Sequence, residues 1–513
     1  MYIYDTTLRD GAQGQSVTFS LQDKEQLIRR LDEVGMHFIE AGNPASNPRD
    51  AELFERMRNV RLKNAQLVAF GSTRRVGVRA HEDAGLNVLA NVGCSHVAIF
   101  GKSWDFHVTD VLRTTLQENL NMISESVRFL TSAGKTVFFD AEHFFDGYAA
   151  NPRYAMETLR AARDAGAAYL VLCDTNGGTL PEDIRNTVKA VVKEFPGCVG
   201  IHCHNDSGVA VACSLTAVRM GAVLVQGTVN GLGERCGNAD LCCVIPNLVL
   251  KMGVDCFPHL SELTSLSHFV SSVANLTLDS RMPYVGRSAF THKGGMHIDG
   301  VMKNSRTFEH ISPAAVGNAR AFVVSDLAGR NSILPLIHAV DPSIDRDDPI
   351  VDHICSKLKQ MEFEGYQFED AEDSFKLMVR RQLGKHRSFY EVLDFQVFCQ
   401  RPDDVTCTLA TLKVRVGNKI ELTAAEGDGP VNALDFALRR VLTIFYPQVQ
   451  RLRLVDFKVR VVDDGGTASR VRVYIRSTDG EHTFGTVGVS PNIVQAAWAA
   501  LTDSIDAFLL CNS

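Results

Sequence analysis

The chain has 513 residues, a formal net charge of −7, 45% hydrophobic residues and 22% charged residues. This length predicts about three domains, or one large barrel with additional segments. The composition excludes a disordered chain, a collagen and a miniprotein held together by disulfides. Because a dedicated nucleic-acid-binding protein carries a basic excess, the acidic balance predicts no nucleic-acid partner.

The cellular setting is predicted from the N-terminus, the apolar stretches and the cysteines. The first residues, MYIYDTTLRDG, lack the basic and apolar segments of a secretory signal. Apolar stretches such as Met220–Gly233 are interrupted by glycines and an asparagine, whereas a membrane span needs about 20 apolar residues. The 13 cysteines form no Cys-x-x-Cys pair, which favours reduced thiols. We therefore expect a cytoplasmic protein without a membrane partner.

Residues 1–255 alternate between strand-like and helix-like patterns. Eight β-branched or aromatic runs begin at Tyr2, His37, Gln66, His96, Thr136, Ala168, Val199 and Val223. Amphipathic helices are predicted between them at Leu21–Val34, Val108–Ala133, Pro152–Ala165, Pro181–Phe195 and Val209–Met220. Eight such units over about 250 residues are typical of a (β/α)8 TIM barrel, which we predict as the catalytic domain. An open doubly wound parallel sheet is the alternative.

The middle of the chain, residues 256–386, loses this alternation. It is predicted to form helical linker subdomains joined by polar loops. One of these loops is the glycine-rich segment Thr291–Gly300, and the stretch Glu362–Asp373 is rich in acidic residues.

The last segment, residues 387–513, shows three alternating strands and a helix, and then the same order again. The helices are predicted at Val431–Phe445 and Asn492–Leu509, each opened by a proline, which is favourable in a first helical turn. The segment is therefore predicted to be an α+β domain built as a duplicated (βββα)2 unit. Such modules often join subunits, so we expect a regulatory and dimerisation domain.

The most informative short motif is Ile-His-Cys-His-Asn-Asp, which closes the seventh strand-like run. Successive strand residues face opposite sides, so His202 and His204 share one face and Cys203 points the other way. On a barrel strand both imidazoles point inward at the carboxyl-terminal mouth, where barrel active sites are built. The pair suits a divalent metal, and two hydrogen-bonded core histidines are the alternative.

A third metal ligand is expected from another strand end. Asp5 and Asp10 are the candidates, because both lie where the first run ends. Arg9 beside them suits a substrate carboxylate, although a surface ion pair with Asp10 would explain it too. Polar residues also end other runs, and a glycine-rich loop follows the eighth; these features are Glu40, Glu142, Asp174–Thr175, Asn230 and Gly231–Ala239.

Three motifs together resemble a known enzyme family. They are DTTLRDG at Asp5–Gly11, HCHND at His202–Asp206 and GLGERCGNA at Gly231–Ala239, and they are similar to the 2-isopropylmalate synthase family of acyl-CoA-dependent condensing enzymes. The likeness extends over nearly the whole chain, including the duplicated C-terminal unit. Within the family, AFGSTRR at Ala69–Arg75 and IFGKSWDFHV at Ile99–Val108 look like the citramalate synthase branch.

The resemblance implies a metal site. Asp10, His202, His204 and Asn238 match the ligands of a divalent cation (Zn, Mn, Mg or Co). Arg9 matches the arginine that holds the α-keto acid and stabilises its ketone oxygen.

The resemblance also implies the remaining substrate and catalytic residues. Glu142 and Thr175 match residues that position substrate or the acetyl group, and His297 matches a catalytic histidine from the helical region that commonly reaches a partner subunit. The chain departs from the family at Phe308, where a tyrosine is usual, so no proton relay is assigned to that position.

The reaction implied by the resemblance joins acetyl-CoA and pyruvate and hydrolyses the thioester to (R)-citramalate and CoA, in isoleucine biosynthesis. The implied assembly is a homodimer with isoleucine or leucine as effector, and plain dimerisation is the alternative role for the C-terminal domain. Three other functions are weighed: isopropylmalate or homocitrate synthesis, a lyase of the hydroxymethylglutaryl-CoA type, and a non-catalytic binding protein. A biotin-dependent carboxylase is disfavoured because no Met-Lys-Met segment is present.

Overall fold

The computed structural model describes residues 1–322, 330–400 and 407–512. The chain divides into two compact units. The first comprises Met1–Phe290 and Ile311–Arg320, and the second comprises Thr291–His310 and Ala321–Ser513. The three-part division at residues 255/256 and 386/387 stays a prediction, and each unit is described by itself.

The first unit contains a closed barrel of eight parallel strands in sequence order, with the first strand paired to the eighth. The strands are β1 Tyr2–Asp5, β2 Phe38–Gly42, β3 Gln66–Ser72, β4 His96–Lys102, β5 Thr136–Glu142, β6 Tyr169–Asp174, β7 Val199–Cys203 and β8 Leu224–Gly227. This closure confirms the predicted TIM barrel and excludes the open doubly wound sheet.

Helices surround the barrel and follow its strands. They are α1 Leu21–Glu33, α2 Pro48–Met57, α3 Ala84–Asn91, α4 Leu116–Ser132, α5 Phe144–Ala150, α6 Pro152–Asp164, α7 Pro181–Glu194, α8 Ala210–Arg219, α9 Leu241–Pro246 and α10 Leu263–Val273. Their apolar faces and the outward-facing strand residues form one continuous core. The apolar residues recur along each helix with the helical period because that face is buried against the strands.

The amino-terminal half of the barrel interior is filled by aromatic rings. Tyr4, Phe38 and Phe138 are buried there, with Tyr169 packed against them. The ring centroids of Phe138 and Tyr169 lie 4.8 Å apart in a stacked pair, and those of Tyr4 and Phe138 lie 5.3 Å apart edge to face. We call these four residues the aromatic floor, because they fill the barrel interior on the side opposite the carboxyl ends of the strands.

The predicted helix Val108–Ala133 is wrong as a single element. A short π-helical turn occupies His107–Val111, and α4 begins only after Thr115. Arg113 has a φ of +55°, which interrupts the helical backbone. The Thr115 hydroxyl then accepts a hydrogen bond from the Glu118 N–H at 3.1 Å and starts a new helix.

The second unit contains the remaining helices and three small sheets. The helices are α11 Gly295–Lys303, α12 Arg330–His338, α13 Pro349–Phe363, α14 Glu372–Gln382, α15 Pro430–Phe445 and α16 Ile493–Cys511. The strands are β9 Thr291–His292, β10 Ala321–Phe322, β11 Glu391–Gln400, β12 Cys407–Val416, β13 Lys419–Gly427, β14 Arg453–Val461, β15 Val471–Thr478 and β16 Thr483–Ser490. Helices α10 to α14 confirm the predicted helical region.

The glycine-rich segment Thr291–Gly300 is not the loop that we predicted. Its first two residues form β9, which pairs in parallel with β10, and its second half forms most of α11. Ile298 and Val301 lie three residues apart and are both buried. Burying these two apolar side chains offsets the conformational free energy that the two glycines within the helix cost.

The C-terminal part confirms the duplicated (βββα)2 order. Strands β11, β12 and β13 form one antiparallel sheet followed by α15, and β14, β15 and β16 form a second followed by α16. Pro430 opens α15 as predicted. Pro491 does not open α16, because the side chain of Asn492 caps that helix by accepting the Val494 N–H at 2.9 Å.

Helix α16, which the sequence predicts at Asn492–Leu509, is long and apolar enough to cross a membrane by length and composition alone. Within the second unit, 56% of its apolar window is buried. Ala497 and Leu501 pack with β15 residues. Core packing therefore accounts for the hydrophobicity of this helix.

Candidate active site at the barrel mouth

A cavity of about 260 Å³ opens at the carboxyl ends of the barrel strands. Six of the predicted site residues line it: Arg9, Asp10, Glu142, Thr175, His202 and His204. Glu142 ends β5, His202 lies near the end of β7, and the others lie in the loops that follow β1, β6 and β7. Parallel closure of the barrel places these separate sequence positions around one opening.

Asp10, His202 and His204 form a compact cluster in this cavity. All three are buried, and one ligand atom from each lies within 4.8 Å of the others. The Asp10 Oδ2 atom is 3.4 Å from Nε2 of His202 and 4.0 Å from Nε2 of His204. Cys203 faces the opposite side and is buried among the helices, as strand alternation predicts.

The protonation of the cluster follows from its burial. Burial lowers the pKa of His202 to about 3 and also lowers the pKa of His204. Burial by itself raises the pKa of Asp10, but Arg9 and the two histidines outweigh it and hold that pKa below its ordinary value. At neutral pH the cluster therefore offers two neutral imidazoles and a carboxylate, the protonation states that a divalent cation requires.

Asn238 completes the donor set. Its side chain lies close enough to Asp10 to lower the pKa of that carboxylate, and its backbone forms a bridge with His204. The Asn238 Nδ2 donates to the Leu232 carbonyl at 3.0 Å, while its buried Oδ1 has no hydrogen-bond partner among the residues that the structure describes. A buried amide oxygen left without a donor fits a cation ligand, so the four side chains suit a divalent metal.

The glycine-rich loop before Asn238 has glycine where no other residue fits. Gly237 has a φ of +83°, and a Cβ atom there would lie 1.9 Å from the Gly231 carbonyl oxygen. Gly233 has a φ of +156°, and its Cβ would lie 2.3 Å from the Asn238 Nδ2. The two glycines let the loop fold tightly enough to bring Asn238 to the cluster.

We predict that Gly237→Ala lowers Mn²⁺ affinity by at least about tenfold, because the added Cβ displaces Asn238. Isothermal titration with Mn²⁺ measures this directly. Gly178→Ala is the matched control, since a Cβ at Gly178 meets nothing within 4 Å. Equal Mn²⁺ affinity for the two variants would remove Asn238 from the ligand set.

Arg9 is held in a fixed orientation beside the cluster. Its Nε pairs with the buried carboxylate of Glu40, and its Nη1 lies 3.3 Å from Asp10 Oδ2. The guanidinium carbon lies 3.8 Å from the centroid of the Phe70 ring. These contacts leave part of the guanidinium facing the cavity, where it can bind a carboxylate or a developing oxyanion.

Three residues that line the cavity were not predicted, because each lies two positions before the end of its strand. They are Phe70, Phe100 and Asp140. Phe70 and Phe100 stack with ring centroids 5.6 Å apart. Asp140 lies below Glu142 on β5, and burial together with the charge of Glu40 raises its pKa to about 8. Asp140 lies two residues before Glu142, and Phe100 lies two residues before Lys102 at the end of β4, so the period of two along a strand would have found both.

Glu142 itself is paired with a residue of the neighbouring strand. The Lys102 ammonium contacts its carboxylate, and the two residues are register partners at the ends of β4 and β5. Both side chains are largely shielded from solvent, with 16% and 24% exposed. Lys102 lies in the motif Ile99–Val108, but its pairing with Glu142 was not predicted from the sequence.

Four polar strand ends do not line the cavity, and one of them, Glu40, instead pairs with Arg9 beside it. Asp5 accepts the Thr7 hydroxyl at 2.7 Å, so Asp10 and not Asp5 joins the histidines. Asp174 accepts the Thr179 hydroxyl at 2.8 Å, and Asn230 donates to the Ser267 carbonyl at 2.9 Å. Asp5 and Asp174 thus bond within the loops that follow their strands, and Asn230 bonds to helix α10. Polarity at a strand end therefore indicates the site only when the side chain also faces inward.

His297 belongs to the second unit. It lies in the first turn of α11, is exposed, and stacks on Phe308 with ring centroids 4.2 Å apart. Phe308 is the residue at which a tyrosine was expected from the family resemblance. It contacts the imidazole with the face of its ring and has no hydroxyl to offer.

Known proteins match this chain along its length. Residues 1–270 match the HMGL-like family, residues 284–365 the homocitrate synthase post-HMGL domain-like family, and residues 369–509 the LeuA allosteric (dimerisation) domain. An (R)-citramalate synthase of Aquifex aeolicus is 49% identical, over 98% of this chain and 97% of the relative. One from Geobacter sulfurreducens is also 49% identical, over 98% and 96%. A probable 2-isopropylmalate synthase of Methanosarcina mazei is 29% identical, over 98% and 94%.

The family matches and the curated relatives make this TIM-barrel chain a condensing enzyme of the acyltransferase type. The matches are specific enough to go further, because they span the barrel, the helical region and the duplicated domain alike. The chain belongs to the HMGL-like family, and within it to the (R)-citramalate synthases.

Proposed function

We propose that the barrel condenses acetyl-CoA with pyruvate and hydrolyses the resulting thioester to give (R)-citramalate and free CoA. The observation that carries this proposal is Arg9, fixed beside the cluster of Asp10, His202 and His204 at the barrel mouth. The curated relatives at 49% identity support the same reaction.

The electrophile in this reaction is the ketone of pyruvate. A divalent cation held by Asp10, His202, His204 and Asn238 would supply Lewis acidity to a ketone oxygen. Arg9 binds the keto acid and stabilises the negative charge that develops on the ketone oxygen as the carbon–carbon bond forms. Because Glu40 and Phe70 hold the guanidinium in advance, little reorganisation is needed when that charge appears.

The nucleophile is the enolate of acetyl-CoA, whose formation needs a base. We propose His297 for this role, acting directly or through water, with Glu142 assisting. Thr175 and Glu142 line the cavity and position the substrates. Phe308 has no hydroxyl, so it takes no part in proton transfer.

The cavity is suited to a small keto acid. The stacked rings of Phe70 and Phe100 narrow it beside Arg9. An additional methylene gains only about 1–3 kcal/mol by attraction, so steric exclusion is the stronger means of rejecting longer substrates.

A keto-acid panel tests this function. Thiol release from acetyl-CoA is measured with pyruvate, 2-ketoisovalerate and 2-ketoglutarate as alternative acceptors. We expect kcat/KM for pyruvate to exceed that for each larger acid by at least about 100-fold. A preference for 2-ketoisovalerate or 2-ketoglutarate would instead assign isopropylmalate or homocitrate synthesis.

We also propose that the enzyme acts in the cytoplasm as a homodimer in isoleucine biosynthesis, with isoleucine or leucine as feedback effector. The match to the LeuA domain supports a dimer. The start of α15 is the more open of the two helix starts, because Gly429 provides no side-chain cap whereas Asn492 caps α16. A carboxylate is favoured at such a helix start.

Gly429→Asp tests the effector site, since a side chain at Gly429 meets no atom within 4 Å and would add a negative charge there. Isoleucine and leucine are titrated against the rates of the wild type and the variant. Loss of inhibition in the variant supports the site, and equal inhibition of both proteins places the sensor elsewhere. No inhibition of the wild type leaves dimerisation as the role of the domain.

A further inference from the structure

The residue directly after Glu142 has an uncommon backbone conformation. His143 has φ 56° and ψ 35°, in the left-handed region, which residues other than glycine adopt infrequently. It is buried and forms the start of α5. Such strain persists only where surrounding contacts enforce it, so the contacts of His143 show what the conformation serves.

Three hydrogen bonds around His143 support this conformation and join the β5 loop to the β6 loop. The His143 backbone N–H donates to the Thr175 hydroxyl at 2.9 Å. The His143 Nδ1 lies 3.1 Å from Asp146 Oδ2, and the same oxygen accepts the Asn176 Nδ2 at 3.0 Å. Asp146 thus connects the neighbour of Glu142 to the neighbour of Thr175.

The outer side of the His143 ring is packed as well. Its centroid lies 4.2 Å from the His107 ring and 5.9 Å from Trp104, and Trp104 stacks on His107 at 5.2 Å. These rings follow β4, which carries Lys102, the partner of Glu142. The imidazole is therefore fixed on one side by a carboxylate and on the other by aromatic rings.

We propose that His143 and Asp146 are positioning residues that hold Glu142 and Thr175 in register at the barrel mouth. Neither lines the cavity as described, so both act through their neighbours. The left-handed backbone at His143 turns the chain directly from β5 into α5, so that Glu142 stays at the end of its strand while the His143 N–H donates to Thr175. The inference rests on the proposed function, in which Glu142 and Thr175 position the substrates.

Asp146→Ala removes the carboxylate that bridges His143 and Asn176, and Asp146→Asn retains an acceptor oxygen. For Asp146→Ala we expect kcat/KM for pyruvate to fall at least tenfold and KM for pyruvate to rise at least threefold. Asp146→Asn should stay within threefold of the wild type. If Asp146→Ala only reduced the fraction of folded enzyme, kcat would fall and both substrate KM values would stay the same. That result would overturn the proposal, and so would an unchanged kcat/KM.

The second pair of variants separates the imidazole from the backbone conformation. His143→Asn keeps a residue that tolerates a positive φ and places an amide where Nδ1 lies, so we expect near wild-type kinetics. His143→Val cannot adopt this conformation without strain and should behave like Asp146→Ala. Equal kinetics for the asparagine and valine variants would overturn the role of the left-handed backbone.

A readout without turnover separates this inference from the proposed function. Amide hydrogen exchange is measured for residues 143–147 and 174–178 in the full-length wild type and in Asp146→Ala. Exchange at least tenfold faster in both segments supports the connection, whatever reaction the wild type catalyses, and unchanged exchange overturns it. The wild-type rate with pyruvate tests only the proposed function.

Discussion

Replacing His202 by alanine is expected to lower turnover by at least about 1,000-fold while the barrel stays folded. The reason is that His202, His204 and Asp10 each supply one ligand atom to a cluster less than 5 Å across. Losing one donor leaves a site that binds a divalent cation weakly. Asp10→Ala should have the same effect, because it also removes the charge beside Arg9.

Cys203→Ala provides a matched control, since Cys203 lies between the two histidines but faces the helices. Turnover with pyruvate, Mn²⁺ affinity by titration and circular dichroism are measured for all three variants. We expect wild-type affinity and rate for Cys203→Ala, and native spectra throughout. Retention of metal and near-normal activity by His202→Ala or Asp10→Ala would refute the assignment of the cluster.

Arg9→Lys is expected to lower kcat by about 100-fold to 1,000-fold, the range seen when one donor to an oxyanion is lost. Lysine keeps the positive charge but cannot contact Glu40, Asp10 and the Phe70 ring together as the planar guanidinium does. It also leaves the Glu40 carboxylate buried with fewer donors, which weakens the preorganisation of the site.

Steady-state kinetics with both substrates measure this effect, and Mn²⁺ affinity shows whether Asp10 is still in place. Arg153→Lys is the control for the same exchange at a side chain that is 88% exposed. If kcat of Arg9→Lys stays within tenfold of the wild type, the positive charge alone suffices at this position and the role given to the planar guanidinium is wrong.

The barrel and its first ligands could be predicted because they depend on local periodicity. Alternation along β7 is enough to place His202 and His204 on one face and Cys203 on the other. The contacts that hold the site together were not predictable in this way. Glu40 pairs with Arg9 across 31 residues, and Lys102 pairs with Glu142 through the strand register, which periodicity does not specify.

The errors also have physical causes. The break before α4 depends on a positive φ at Arg113, which arginine does not signal in a sequence. The start of α11 was missed because glycines indicate loops unless the burial of Ile298 and Val301 is known. Polar residues at strand ends were also over-interpreted as site residues. Asn230, for example, faces outward and bonds to Ser267.

The aromatic floor has a kinetic consequence. Tyr4, Phe38, Phe138 and Tyr169 close the lower end of the barrel, so acceptor, donor and both products must pass through the same opening. A product that has not yet departed therefore occupies the route of the next substrate. CoA should act as a competitive inhibitor against acetyl-CoA, and the release of the bulky nucleotide thiol is a step at which the overall rate can be limited.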